Sequence, residues 1–101
     1  MRLTAEQISV IKQATTRFFG TDAFVMLFGS RADDSKRGGD IDLYIETSKE
    51  DISEIVRAEI AFLAAVKRKL GDQKIDVLVN YPSRKMYPPI FEVAKQQGIA
   101  L

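Results

Sequence analysis

Two residue types that are common in enzyme active sites are missing from this sequence, since its 101 residues contain no cysteine and no histidine. Without cysteine there are no disulfides and no thiolate metal sites, which is typical of proteins of the reducing cytoplasm. Without histidine there is no Ser-His-Asp triad, no imidazole base and no histidine-ligated zinc site. Any metal ion must therefore be bound by oxygen, which favours a hard cation such as Mg²⁺.

An excess of charge and a long apolar run are missing as well. Fifteen lysines and arginines oppose 14 aspartates and glutamates, so the formal net charge is +1 and no global field attracts nucleic acid. No apolar run approaches about 18 residues, and the N-terminus lacks the features of a signal peptide. We expect a cytoplasmic protein without a membrane or nucleic-acid partner, folded as a single domain over residues 1–101.

Hydrophobic periodicity predicts helices and strands in alternation. A capping box at Thr4 and Gln7 begins the first helix. The predicted elements are helix Ala5–Phe19, strands Ala23–Phe28 and Asp40–Glu46, a helix from about Lys49 to Leu70, strand Lys74–Asn80, helix Ile90–Gln97 and a short strand after Gly98. This order predicts an α+β (mixed α/β) fold in which a small mixed β-sheet has its helices mainly on one face. The face that carries Asp40 and Asp42 is expected to be open.

Two segments predict further features of the fold. The long helix has an apolar stripe broad enough to contact both the sheet and a partner, formed by Ile52, Ile55, Val56, Ile60, Phe62, Leu63, Val66 and Leu70. Three prolines between positions 81 and 89 predict an irregular connection, because proline does not fit a helix interior or a central strand.

Asp40 and Asp42 are charged residues within an otherwise apolar strand pattern. The chain has eight aspartates, so about 0.6 Asp-x-Asp pairs are expected by chance and only the context of the pair is informative. Residues two apart in a strand lie about 6.6 Å from each other on one face. Two carboxylates at that distance repel by roughly 2 to 3 kcal/mol at an effective dielectric constant near 20, and a divalent cation between them removes this cost.

Gly29 and Ser30 directly follow the first predicted strand. A glycine at a strand end lets backbone N–H groups approach an anion closely, and a serine adds a hydroxyl donor. Arg31 and Arg37 supply positive charge suited to a polyphosphate. We therefore predict a phosphate-binding turn in which Gly29, Ser30 and Arg31 contact a nucleotide.

Asp76 is the candidate for a third carboxylate. It lies on the side of its strand opposite Ile75, Val77 and Val79. If this strand pairs with Asp40–Glu46, three carboxylates converge and form a metal-assisted phosphoryl-transfer site.

The segment "GSRADDSKRGGDIDL" resembles the Gly-Ser…Asp-x-Asp motif of the DNA polymerase β-like nucleotidyltransferase superfamily, and "KIDVLV" resembles its third-carboxylate strand. The short chain and its ending "FEVAKQQGIAL" most resemble the minimal nucleotidyltransferases. These proteins are commonly encoded beside a small all-helical HEPN protein and act as the antitoxin of that pair. Two features depart from the pattern: nine residues separate Ser30 from Asp40, one fewer than is most frequent, and Gly39 stands where serine or threonine is common.

The resemblance implies a magnesium-dependent protein adenylyltransferase. Gly29 and Ser30 would bind the triphosphate of ATP, and Asp76 would help to deprotonate the attacking hydroxyl. That hydroxyl would displace pyrophosphate from the α-phosphorus and take up AMP. In the minimal family the acceptor is typically a tyrosine of the HEPN toxin, whose RNase activity is thereby silenced. The ligands of two Mg²⁺ ions would be Asp40, Asp42 and Asp76.

Other interpretations remain open for single residues. Ser30 is also suited to be an ordinary helix cap, and Asp40 and Asp42 to form the solvated face of an edge strand. Asp33 and Asp34 are typical of solvated turns. The basic run Lys67, Arg68 and Lys69 fits a helix C-terminus better than a nucleic-acid patch. Tyr81, Tyr87 and Phe91 fit the edge of the core or an oligomer contact better than a base-stacking platform.

Other functions remain open as well. One alternative is a non-enzymatic interaction module that neutralises its partner by binding alone. A second is transfer to a small molecule, which the short chain disfavours because no substrate domain is present. A homodimer or a heteromeric partner would have to supply the surfaces that hold the adenine and the acceptor.

Overall fold

The computed structural model describes residues 2–33 and 39–101, and within these ranges it contains three α-helices and four strands. Asp34 and Arg37, on which two of the predictions fall, lie outside the described residues. The elements are α1 (Ala5–Phe19), β1 (Phe24–Phe28), a 3₁₀ turn (Gly29–Ala32), β2 (Ile41–Glu46), α2 (Ile52–Leu70), β3 (Ile75–Asn80), α3 (Pro89–Gln97) and β4 (Ile99–Ala100).

The four strands form one mixed sheet in the order β3-β2-β1-β4. β1 runs antiparallel to both β2 and β4, whereas β2 and β3 are parallel and are joined by the crossover helix α2. The predicted fold class is therefore confirmed.

The main core lies between one face of this sheet and the helices α1 and α2. Alternate residues of β1, β2 and β3 point into it, as the period of two in their sequences predicts. The rings of Phe19 and Phe62 meet there with their centroids 5.7 Å apart. The hydroxyl of Thr47 donates a 2.7 Å hydrogen bond to the carbonyl of Phe19, which attaches the end of β2 to the end of α1.

The opposite face of the sheet is partly covered by α3, so the expectation of an open face is wrong for its middle. Tyr44 is fully buried there and packs with Phe28, Phe91 and Ala94. The rings of Tyr44 and Phe91 meet edge to face at 6.1 Å, and the Asn80 side-chain amide donates a 2.9 Å hydrogen bond to the tyrosine hydroxyl. This face carries large aromatic side chains as well as carboxylates, and burying the aromatic side chains requires a covering helix.

Two helices start at other positions than predicted, for local reasons. α2 begins at Ile52 rather than near Lys49, because the Asp51 carboxylate accepts a 2.9 Å hydrogen bond from the backbone N–H of Ser53 and so caps the helix. α3 begins at Pro89, one residue before the predicted start, since proline is favoured in the first helical turn, where its missing N–H has no partner to lose.

The apolar stripe of α2 is only partly buried. Ile55, Phe62 and Val66 face the core, whereas Ile52, Val56 and Ile60 are 57%, 50% and 64% exposed. A partner on the exposed side stays a prediction. Among the described residues, no helix is both long enough and apolar enough to cross a bilayer.

Candidate active site

The strand register brings three sequence-distant segments together at one end of the sheet. Phe28, the last residue of β1, pairs with Asp42 of β2, and Asp42 pairs in parallel with Asp76 of β3. Because paired residues of neighbouring strands point to the same face and lie about 5 Å apart, Asp42 and Asp76 stand side by side. The turn that begins at Gly29 is therefore adjacent to Asp42, and Asp76 is exposed beside it at the same end of the sheet.

Gly29 allows the turn to lie directly against the Asp42 carboxylate. Its φ angle is +74°, and a Cβ at this position would collide with the carboxylate oxygen Oδ2. Any other residue would push the turn and the carboxylate apart. The glycine thus sets the close approach between the predicted phosphate turn and the predicted metal ligand.

Gly39 makes a similar contact with Ser30. The φ angle of Gly39 is +91°, and a Cβ there would collide with the Ser30 hydroxyl oxygen. Glycine, the residue that departs from the common motif, therefore accommodates both this backbone conformation and the close approach of Ser30. Ser30 itself lies inside the 3₁₀ turn, which has Phe28 at its N-cap and no side-chain cap, so the interpretation of Ser30 as an ordinary cap is wrong.

Arg31 connects the ends of the loop to the start of the chain. Its Nε donates a 3.3 Å hydrogen bond to the carbonyl of Gly39, and its Nη1 donates a 3.1 Å hydrogen bond to the carbonyl of Arg2. Arg31 is thus engaged with the backbone around the turn, and its contact with a nucleotide stays a prediction. Asp33 follows the turn and is exposed.

Arg2 contacts the predicted phosphate turn and was missed by sequence reasoning. Its guanidinium Nη2 donates a 2.9 Å hydrogen bond to the carbonyl of Ser30, and its backbone N–H donates a 2.8 Å bond to the carbonyl of Arg31. No local signal could have identified it, because Arg2 and Ser30 are 28 positions apart in the sequence.

The pKa of the Asp42 carboxyl is shifted by its surroundings. Burial raises its pKa from the ordinary value of 3.8, and the negative charges of Asp76 and Asp40 raise it further, while the charge of Lys74 lowers it. These influences show that the three predicted carboxylates are near one another. Asp42 is partly buried and Asp76 is exposed, so a ligand can reach both side chains.

The side chain of Lys74 places a positive charge next to these carboxylates, and the sequence did not predict this contact. Its Nζ lies 3.5 Å from an Asp40 carboxylate oxygen, with the two side chains 71% and 43% exposed. The backbone helps to place the pair, since the N–H of Ile41 donates a 3.0 Å hydrogen bond to the carbonyl of Lys74. Parallel pairing of β2 and β3 is the signal that could have identified Lys74.

The donor chemistry of the site fits a hard divalent cation. All three predicted ligands are carboxylates, and the mutual repulsion that raises the pKa of Asp42 is what a bound cation would relieve. As they stand, no three acidic, histidine or cysteine side chains among residues 2–33 and 39–101 are grouped so that they could hold one metal ion together. The three carboxylates therefore lie in one region of the site, but they are not arranged so that all three could bind the same ion.

The comparison with known proteins agrees with this geometry. No curated protein sequence matches the chain significantly. A family model described as a nucleotidyltransferase domain matches residues 8–100, a range that includes the Gly29–Ala32 turn and all three predicted ligands. Since the match covers most of the sequence, and the mixed sheet with its acidic end fits such a domain, the chain belongs to the nucleotidyltransferase domain family.

Proposed function

We propose that this domain transfers AMP from ATP to a hydroxyl group, that the acceptor is a tyrosine of a partner HEPN toxin, and that the transfer makes the protein an antitoxin. Membership of the nucleotidyltransferase family supports the general reaction. The resemblance of the motifs to those of minimal nucleotidyltransferases supports the acceptor and the biological role. The observation on which the proposal chiefly rests is the position of Asp42, which lies between the Gly29 turn and Asp76.

The turn Gly29–Ala32 would bind the triphosphate. A short 3₁₀ turn presents backbone N–H groups that lack intrahelical partners, and such groups bind phosphate oxygens. The hydroxyl of Ser30 adds a donor. Because Gly29 has no side chain, the phosphates can approach both the turn and Asp42.

The carboxylates would hold the metal and handle the proton. Asp40, Asp42 and Asp76 would hold Mg²⁺, which when bound supplies positive charge for the triphosphate and favours ionisation of the acceptor hydroxyl. The acceptor oxygen forms a bond to the α-phosphorus, and the bond from that phosphorus to the oxygen bridging to the β-phosphate breaks. Pyrophosphate leaves with that bonding electron pair, and Asp76 accepts the proton of the hydroxyl. These steps give an AMP ester and pyrophosphate.

The test is an AMP-transfer reaction with the protein encoded next to this chain. We expect incubation with Mg-ATP to add the mass of one AMP to that protein, as read by intact mass spectrometry. D42N should abolish the adduct, because it removes a carboxylate at the centre of the site. D72N is the matched control, since Asp72 is exposed and precedes β3 without belonging to the site.

The outcome also separates enzymatic from non-enzymatic neutralisation. If the neighbouring protein is inhibited at a one-to-one ratio without ATP, and D42N inhibits it as well as wild type does, the chain acts by binding alone and the proposal is wrong. If an adduct forms equally with D42N, the assigned site is wrong.

A further inference from the structure

We propose that Arg2 is a positioning residue of the nucleotide site, which holds the backbone of the Gly29–Ala32 turn in the conformation that binds the triphosphate. The inference rests on the proposed function, because it assigns this turn to the nucleotide. Arg2 itself is not expected to touch the reacting atoms.

Arg2 fastens two successive carbonyl groups of the turn. Its guanidinium binds the carbonyl of Ser30 at 2.9 Å, and its backbone N–H binds the carbonyl of Arg31 at 2.8 Å. In a 3₁₀ turn with its N-cap at Phe28, the N–H groups of Arg31 and Ala32 donate to the carbonyls three residues earlier, so Gly29 and Ser30 have the N–H groups without a partner inside the turn. Holding the carbonyls of Ser30 and Arg31 toward Arg2 keeps the turn in this conformation, with the N–H groups of Gly29 and Ser30 as donors to an anion.

Arg2 and Arg31 each donate hydrogen bonds to the backbone around the other, so more than one bond connects the start of the chain to the turn. Arg31 donates from Nη1 to the carbonyl of Arg2 at 3.1 Å and from Nε to the carbonyl of Gly39 at 3.3 Å. The start of the chain, the turn and the residue before Asp40 are thereby linked through two guanidinium groups. Hydrogen bonds from charged donors are stronger than neutral ones, which suits them to this task.

The hydrogen bonds of Arg2 add to the limited burial of the turn. Ala32 packs against the main core, but none of the four residues is fully buried, and the turn has no side-chain cap. The carbonyl of Ser30 also accepts a 3.2 Å hydrogen bond from the N–H of Asp33, at the end of the turn. Loss of the Arg2 guanidinium should therefore loosen the turn and leave the sheet unchanged.

The experiment titrates Mg-ATP into the full chain without an acceptor. We expect R2A to weaken Mg-ATP binding about tenfold, because it removes the charged hydrogen bond to the Ser30 carbonyl but keeps the backbone bond to Arg31. R2K, which keeps a cationic donor, should recover most of the affinity. R68A, at the exposed end of α2, should bind as wild type does. In the transfer assay, R2A should raise KM for ATP about tenfold and change kcat less than twofold.

Three outcomes would overturn the inference. R2A that binds Mg-ATP as tightly as wild type excludes a positioning role. A parallel fall in Tm and kcat that R2K does not reverse shows a merely structural role. If R2A is too unstable to titrate, R2K is compared with R2Q, whose amide is shorter and uncharged. The inference then requires R2K to bind Mg-ATP more tightly than R2Q, and equal affinities contradict it. Wild-type protein that binds no Mg-ATP at all would instead refute the proposed function, and the inference with it.

Discussion

At the scale of single residues, the site brings together negative charges that its own positive groups offset only in part. Asp42 is partly buried beside the charges of Asp76 and Asp40, and the ammonium group of Lys74 offsets them only in part. An exposed ion pair such as Lys74–Asp40 contributes about 0 to 1 kcal/mol, too little to compensate for a buried carboxylate. Such an arrangement costs stability, and a cation or a phosphate-bound metal is the ligand that would relieve it.

The first prediction concerns Asp42. Its raised pKa means that the folded protein binds a proton there more tightly than the unfolded chain does. The free energy of unfolding should therefore fall as the pH rises from about 3.8 through the raised pKa. D42N lacks this ionisation, so at pH 7 and in EDTA it should be more stable than wild type, with a higher Tm, whereas the difference should shrink near pH 4.

Urea unfolding at a series of pH values measures this difference, with D72N as the control that should follow wild type. Burial also raises the pKa of Glu59, so wild type has a second destabilising ionisation in the same range. Comparison with D42N removes that contribution, because both proteins contain Glu59. A D42N protein that is less stable than wild type at pH 7 would contradict the prediction.

Sequence reasoning at this scale succeeds where a side chain follows the strand period. The alternation of residues along a strand predicts by itself which face of its strand each of Asp40, Asp42 and Asp76 occupies. Their proximity to one another follows only from the parallel pairing of β2 and β3. Strand alternation does not identify Arg2 or Lys74. Their contacts depend on where the start of the chain and the start of β3 lie in the folded protein.

At the scale of elements, the loop between β1 and β2 is shaped by two glycines in the left-handed region of φ. Gly29 lies against Asp42 and Gly39 lies against Ser30, so the ends of the loop are close-packed at the site. The same close packing makes the loop sensitive to one methyl group.

The second prediction compares G39A with G71A. Both glycines have positive φ angles, +91° and +86°, so alanine adds backbone strain of about 1 to 3 kcal/mol at each position. Only at position 39 would the new Cβ also collide with Ser30, whereas nothing lies within 4 Å of a Cβ at position 71. We expect G39A to lower the free energy of unfolding by about 1 to 3 kcal/mol more than G71A does, as overpacking does elsewhere.

Urea unfolding checks the stabilities, and Mg-ATP titration checks the site. G39A should also weaken nucleotide binding, because the displaced Ser30 belongs to the predicted phosphate turn, while G71A should not. Equal destabilisation by the two substitutions would show that the Ser30 contact is unimportant.

Most elements are predictable from their periodicity and caps, and the errors have identifiable causes. Helix α1 has the predicted bounds because its capping box is local: Thr4 and Gln7 exchange hydrogen bonds of 3.0 and 2.8 Å. The covering of Tyr44 by α3 was not foreseen, because an aromatic residue among carboxylates in an alternating strand fits a solvated face as well as a buried one. Only the tertiary position of Phe91 decides between them.

At the scale of the whole molecule, the site couples nucleotide binding to global folding. Its groups come from β1, β2 and β3 and from the start of the chain, and they are brought together only when the whole sheet has formed. An unfolded chain cannot reproduce this arrangement. A ligand of the site should therefore stabilise the entire domain and not a local segment.

The last prediction follows from this coupling. Free Mg-ATP at 100 times its dissociation constant should stabilise the folded protein by about 2.7 kcal/mol. For a domain of this length, each kcal/mol shifts Tm by about 4 to 8 °C, so the transition should rise by roughly 10 to 20 °C. Thermal unfolding followed by circular dichroism measures the shift.

The controls identify which groups produce the stabilisation. ATP with EDTA should shift Tm far less than Mg-ATP does, because the carboxylates repel the triphosphate when no cation lies between them. D42N should lose most of the Mg-ATP shift although it begins from a higher Tm, a combination that general destabilisation cannot produce. D72N should respond as wild type does. An equal shift in D42N would mean that ATP stabilises the domain from another surface, and that Asp42 is not a ligand of the metal.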